Sequence, residues 1–381
     1  MFGRRLFVSL IFSTGVQAFA PSNTQGMINF KLSRRAPSTT TAIQATWSNG
    51  QAIKEYQDFL ASGKQEIDMA SDGPSLIVKS ASSNASNLMV EALTSIGNEF
   101  DSVITPGAVM PTMLGDRESF PIYITIPPME LDEFLKNLGD DWKLRREDFI
   151  FLSGGKQYGV IEPILKTYGL ARDSMTQLLC GGFTTPGYPK VPMDLSCNIG
   201  LDANGEDKIA GETAVCGKWA GAVRERFESR GIPVKVGFYR EWRRWMWERA
   251  AFDAVFNLVG AVRREPTSIK DVALYYDQEA SDMLWQITGN LRGWLAVTVT
   301  YGFEERLFNW AESRFDKVPC EIPEEMYPYM FPAPIDKGNM LIEYLNYAKS
   351  ELGLLQNAQL PKCSTVPSAM RQGNLRSDGV I

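Results

Sequence analysis

The chain has 381 residues, 44% apolar and 22% charged, the composition of a globular protein with one large core or two ordinary ones. It contains no histidine, which rules out a histidine general base, Ser-His-Asp or Cys-His nucleophilic catalysis, and the usual zinc and non-haem iron sites. Five scattered cysteines (Cys180, Cys197, Cys216, Cys320, Cys363) form no CxxC pair, so neither a disulfide framework nor a metal knuckle is expected and they read as buried or free thiols.

Residues 1–45 read as a presequence. Arg4 and Arg5 precede the apolar run Leu6 to Val16 and small residues ending at Ala18, the order of a secretory signal, and the run is too short for a permanent membrane anchor. The segment from Phe19 onward is rich in Ser and Thr, carries Lys31, Arg34 and Arg35, and has no acidic residue before Glu55. Together these resemble the bipartite presequence of algae whose complex plastids derive from a red alga. A plastid location is therefore expected, and secretion is the alternative, to which the sequon Asn84-Ala85-Ser86 adds little. Losing residues 1–54 removes six of 39 basic residues and none of 45 acidic ones, leaving a net charge of −12. So acidic a body repels phosphate backbones, and nucleic acid is not an expected partner despite the arginines between 240 and 249.

Spacing of Ile53, Tyr56, Phe59 and Leu60 predicts a helix over 49–63. A buried strand at 74–80 then leads to a helix over 86–100, a second strand at 121–127 to a helix over 129–139, and a third at 148–155 to a helix over 161–169. Residues 175–183 read as a fourth strand, 184–192 as a loop, 213–229 as a helix and 232–236 as a strand. Such alternation predicts a parallel sheet with helices on both faces. Helical periods follow at 238–262, 268–301 and 338–353, interrupted by the proline-rich stretch 318–334, and 359–381 reads as a loose tail. The expected division is a sheet domain over 46–237 and an all-helical domain over 238–358.

Within 247–261, WERAAFDAVFNLVGA places Arg249, Asp253 and Asn257 four residues apart in an otherwise apolar helix. It resembles the W-x-K-x-x-x-N-x-x-x-N helix of the ketopantoate reductase (2-dehydropantoate 2-reductase) family. Weaker echoes run in the same order: FIFLSGG (149–155) for the strand ending in L-Q-N-G, SRGIPVKV (229–236) for the segment before the helix, and LIEYLNYAKSELGL (341–354) for a late T-E-I-D-x-x-N-G helix. The resemblance spans 74–358. It implies an α/β chain, a Rossmann-like domain followed by an all-α domain like that of 6-phosphogluconate dehydrogenase, and NADP(H)-dependent reduction of a small 2-keto acid.

The departures from the family bear on that activity. Its G-x-G-x-x-G glycines, which let a backbone approach a diphosphate, fall here on Ala81, Ser83 and Ser86. The L-Q-N-G asparagine becomes Gly154, and the late glutamate falls on Leu341, with Glu343 two places on. At the proton donor's position stands Arg249, whose guanidinium stays protonated and cannot cycle a proton, although it can hold an anion. The stripe Arg249, Asp253, Asn257 is thus either a substrate-cleft remnant or a satisfied polar seam. Residues 81–86 are either an anion cradle or an ordinary helix cap, Lys156 either a phosphate contact or a solvated loop lysine, and Trp242, Trp245 and Trp247 packing. The expectation is a catalytically degenerate binding or assembly component, holding a small anionic ligand or joining a plastid protein complex, with NADP(H) doubted, no metal and no membrane span. An active NADP(H)-dependent reductase is the alternative.

Overall fold

The computed structural model describes residues 70–154, 159–180, 213–313, 318–331, 334–335, 338–356 and 358–363. The presequence, the helix expected over 49–63, the loop 184–192, Lys156 and Cys197 lie outside the described residues.

In chain order the elements are β1 (Leu76–Val78), α1 (Asn84–Ser95), β2 (Ser102–Ile104), β3 (Ile122–Ile124), α2 (Pro128–Lys136), α3 (Asp140–Leu144), β4 (Phe149–Ser153), α4 (Ile161–Thr167), β5 (Thr176–Leu179), β6 (Ala214–Cys216), α5 (Ala220–Glu228) and β7 (Lys235–Val236). Helices complete the chain: α6 (Tyr239–Ala261), α7 (Ile269–Tyr275), α8 (Asp277–Leu295), α9 (Phe303–Ser313), α10 (Tyr327–Met330) and α11 (Met340–Ser350). The seven strands form one sheet in the order β2-β1-β3-β4-β5-β6-β7. Every neighbouring pair is parallel except β5 and β6, where Gln177 faces Cys216 and Leu179 faces Ala214. The architecture is therefore mixed α/β, a mostly parallel Rossmann-like sheet followed by a helical region.

Strand sequences such as LIV and FIFLS are buried at every residue because both faces of the sheet are covered. On one face Leu131, Phe134 and Leu135 of α2, Trp142 of α3 and Leu165 of α4 pack on Val78, Ile124 and Phe151. On the other, Met89 and Leu93 of α1 and Val223 and Phe227 of α5 pack on Ile77, Ile150, Leu178 and Val215. Helix α6 is buried without a break from Met246 to Gly260, since α7, α8, α9 and α11 surround it and its first half lies on Leu179, Ala214 and Cys216 of the sheet.

Three expectations change. Residues 213–229 are a strand and then a helix: Ala214–Cys216 extends the sheet, and Gly217 turns at φ +92° where an added Cβ would lie 2.3 Å from the Met175 carbonyl oxygen. The helix expected over 268–301 is two, broken at Tyr276 and ended by Ala296 in the left-handed region (φ 52°). Finally β2, α3, α9 and α10 were not anticipated. At the start of the expected tail, Ile335 N–H donates to the Lys362 carbonyl at 2.8 Å.

Candidate functional site

The sheet order reverses beside β1, which runs to β2 on one side and is flanked by β3 on the other. In open α/β sheets that crevice, at the carboxyl ends of the strands, is where ligands bind. Here it is filled from within. Ser83 caps α1, its Oγ accepting from Ser86 N–H at 3.2 Å, and the buried Ser86 Oγ accepts from Ser80 N–H at 2.9 Å. Because Thr125 Oγ1 donates to the Val78 carbonyl, the 2.9 Å contact between it and Ser86 Oγ is a donation by the serine. Ser80 Oγ accepts from Ser82 and Ser83 N–H, each at 3.2 Å, and donates to Glu130 Oε2 at 2.6 Å. Ser82 Oγ donates to Glu130 Oε1 at 3.1 Å.

The backbone amides that would cradle a phosphate are thus spent on Ser80, and a carboxylate already sits at the positive end of α1. A second anion placed there would meet Glu130, against which no cation is held among the described residues. At this turn the described residues are not arranged as a diphosphate cradle. Ala81 lies exposed on this turn, while Gly154 is buried at the carboxyl end of β4.

A second polar group joins sheet and helices. Glu162, on the first turn of α4, accepts from Arg243 Nε and from Trp247 Nε1, both at 2.7 Å, and pairs with Lys166 Nζ at 2.5 Å. Burial alone would raise the Glu162 pKa, but Arg243 and Lys166 outweigh it and hold the carboxyl below its ordinary range, so it is ionised. Arg243 Nη1 also donates to the Leu295 carbonyl at 2.8 Å, and Trp242 Nε1 to the Ala214 carbonyl at 3.1 Å. Gly159, at φ +78°, admits the Trp247 ring where an added Cβ would lie 2.4 Å from it.

The stripe on α6 is brought together, and it faces into the helical layer. Arg249 Nε lies 3.3 Å from Asp253 Oδ2, and the guanidinium carbon stands 3.2 Å from the centre of the Trp310 ring. Asn257 Nδ2 donates to the Asp253 carbonyl at 3.0 Å and its Oδ1 accepts from Glu321 N–H at 3.4 Å. Next to them Tyr327 donates to the Ala254 carbonyl at 2.9 Å, and burial, aided by Asp253, pushes its pKa far up. All three stripe side chains are more than nine-tenths buried. Leu341 is core and Glu343 exposed on α11, while Trp242 and Trp247 are buried and Trp245 packs beside Lys235.

No protein-family model matches the sequence, and no curated protein does. Among solved structures, the chain is similar to the 2-dehydropantoate 2-reductase of Methylococcus capsulatus at 10% identity and a TM-score of 0.40, over 80% of this chain and 99% of that one. That is a likeness of chain layout, and the chemistry has to be read from this chain's own side chains.

Sequence reasoning missed Glu130, Glu162 and Arg243, which stand far along the chain from the groups they meet. Ser153 Oγ is buried with no hydrogen-bond partner among the described residues, a condition that costs about 1–3 kcal/mol. Among the described residues, no group of three or more side chains is arranged to hold a metal ion, and no helix is long and apolar enough to cross a membrane.

Proposed function

We propose that this chain is a plastid protein that keeps a ketopantoate reductase-like fold, has lost the reductase chemistry, and serves as a binding or assembly component. The observation that carries this reading is the Glu130 carboxylate seated on Ser80 and Ser82 at the start of α1, where a diphosphate would have to lie. Further support comes from Arg249. Held between Asp253 and the Trp310 ring, it has neither the reach nor the proton chemistry of a general acid. An active reductase would require both arrangements to come apart on binding.

The test uses the chain from residue 46. It should neither oxidise NADPH with 2-keto acids nor melt at a higher temperature in millimolar NADPH, and turnover with any such acid overturns the reading. Residues 1–45 fused to a fluorescent reporter should deliver it to the plastid of an alga of the expected type; secretion of the reporter removes that part.

A further inference from the structure

We propose that the segment joining α8 to α9 is a docking edge for one kind of partner, an acidic peptide in extended conformation that pairs with its main chain as an added strand. Residues 296–300 run without turn or bend, and their side chains alternate: Val297 is buried and Val299 packs on the helical core, while Ala296, Thr298 and Thr300 are exposed. Both ends of the segment are fixed to α6. At one, Arg243 Nη1 donates to the Leu295 carbonyl at 2.8 Å. At the other, Thr300 N–H donates to Glu248, whose two oxygens also accept from Arg306, and Arg306 Nη1 donates to the Tyr301 carbonyl at 2.7 Å. Between those ends, among the described residues, no hydrogen bond reaches the main-chain groups of Thr298 or Val299. Main-chain groups left so along an extended chain are a template for a further strand.

Charge selects the partner. Arg244 stands one turn before Glu248 on the same side of α6, Arg240 one turn before that, and both are exposed. Lys235 of β7 acts on Glu248 from the same quarter. Arg292 is exposed in the last turn of α8, next to Leu291, whose carbonyl accepts from Val297 N–H at 3.2 Å. Against these four cations stand two exposed carboxylates, Glu305 and the Glu241 that accepts from Phe238 N–H, while Arg306 and Glu248 neutralise each other. Four less two leaves a local surplus of positive charge on a chain of net charge −6. Charges farther than about 8 Å are largely screened at physiological ionic strength, so the nearby cations decide which partner is attracted. Trp294, about half exposed, and Tyr301, fully exposed, flank the segment and offer aromatic faces to the partner's side chains. A lipid surface fits less well, because it brings no continuous main chain to pair with Thr298 and Val299.

The inference rests on the reading of the chain as a binding component, and the full chain tests it by fluorescence anisotropy with a labelled peptide of about ten residues in which glutamate and valine alternate. The peptide should bind, more weakly as salt is raised, and hydrogen exchange of the Thr298 or Val299 amide should slow in the complex. A peptide with lysine for every glutamate should not bind. Methylating alternate peptide nitrogens removes donors and keeps the charge, and should weaken binding about tenfold. Arg244→Glu removes one exposed attraction and adds a repulsion, and should also weaken binding about tenfold. A parent that does not bind the glutamate peptide overturns the proposal. So does equal binding of the lysine or the methylated peptide, an affinity that Arg244→Glu leaves unchanged, or binding of phosphatidylserine vesicles in place of the peptide. If Arg244→Glu fails to fold, amide exchange and the methylated peptide decide, since both use the parent chain. NADPH turnover measured on the same sample would remove the inert-fold reading and leave the peptide result standing, whereas absence of peptide binding alone would remove the docking edge.

Discussion

Glu162→Gln isolates the interaction that joins the sheet to the helices. The carboxylate is 4% exposed and satisfies Arg243, Trp247 and Lys166 together. Removing one partner of a buried ion pair costs about 3–5 kcal/mol, because the remaining charge is left uncompensated. Glutamine keeps one acceptor oxygen, and Lys166, about half exposed, can turn to water, so about 3 kcal/mol is expected. With a urea slope of about 3 kcal/mol/M, the unfolding midpoint should fall by about 1 M. The pH dependence is fixed by the direction of the shift. Glu162 has a folded-state pKa below its ordinary 4.5, so its stabilisation is complete above that value and lost as pH falls through the folded pKa. The gap between parent and variant should be constant near neutrality and close only in acid. A gap under about 0.5 kcal/mol at pH 7, or one that widens in acid, refutes the reasoning.

Four further substitutions follow from the same geometry. Arg226→Ala, which strips Asp72, Asp101 and the Gly73 carbonyl of a fully buried guanidinium, should lower unfolding free energy by about 3–5 kcal/mol in urea titration. Gly159→Ala adds left-handed strain of about 1–2 kcal/mol to an overlap with Trp247 of about 1–3 kcal/mol, and tryptophan fluorescence should report the displaced ring. Glu130→Gln halves the acceptor capacity at the start of α1 and should cost about 1–2 kcal/mol, read by thermal unfolding. Arg249→Lys loses its planar stacking on Trp310, which should lower stability by about 1 kcal/mol and create no NADPH oxidation; a gain of turnover would show that the stripe still faces substrate.

The central strands were legible because a strand covered on both faces reads as a continuous apolar run, as in the FIFL of β4. Edge strand β2 was not, since Ser102-Val103-Ile104 is three residues long and only partly buried. The sequence Ala214–Cys216 was merged into the helix that follows because a three-residue apolar run has no period of its own; pairing with β5, remote in sequence, decides it. The end of α8 at Ala296 carries neither glycine nor proline, so the pattern ran on through it. For the candidate site, the four-residue spacing placed Arg249, Asp253 and Asn257 on one side of α6. It could not say which side, because that helix is buried all round and its apolar residues point nowhere in particular. The closure of the β1 crevice was half legible in the serines at 80–86. Its other half, Glu130, stands fifty positions away from Ser80.

Buried polar groups need partners, and two places in this chain show how they are supplied. At the start of α1 the Ser82 and Ser83 amides donate to Ser80 Oγ, which in turn donates to Glu130. An arginine in an apolar helix needs a neighbour, and Asp253 and Trp310 provide it. In both places the protein completes itself, which a ligand would have to undo before binding.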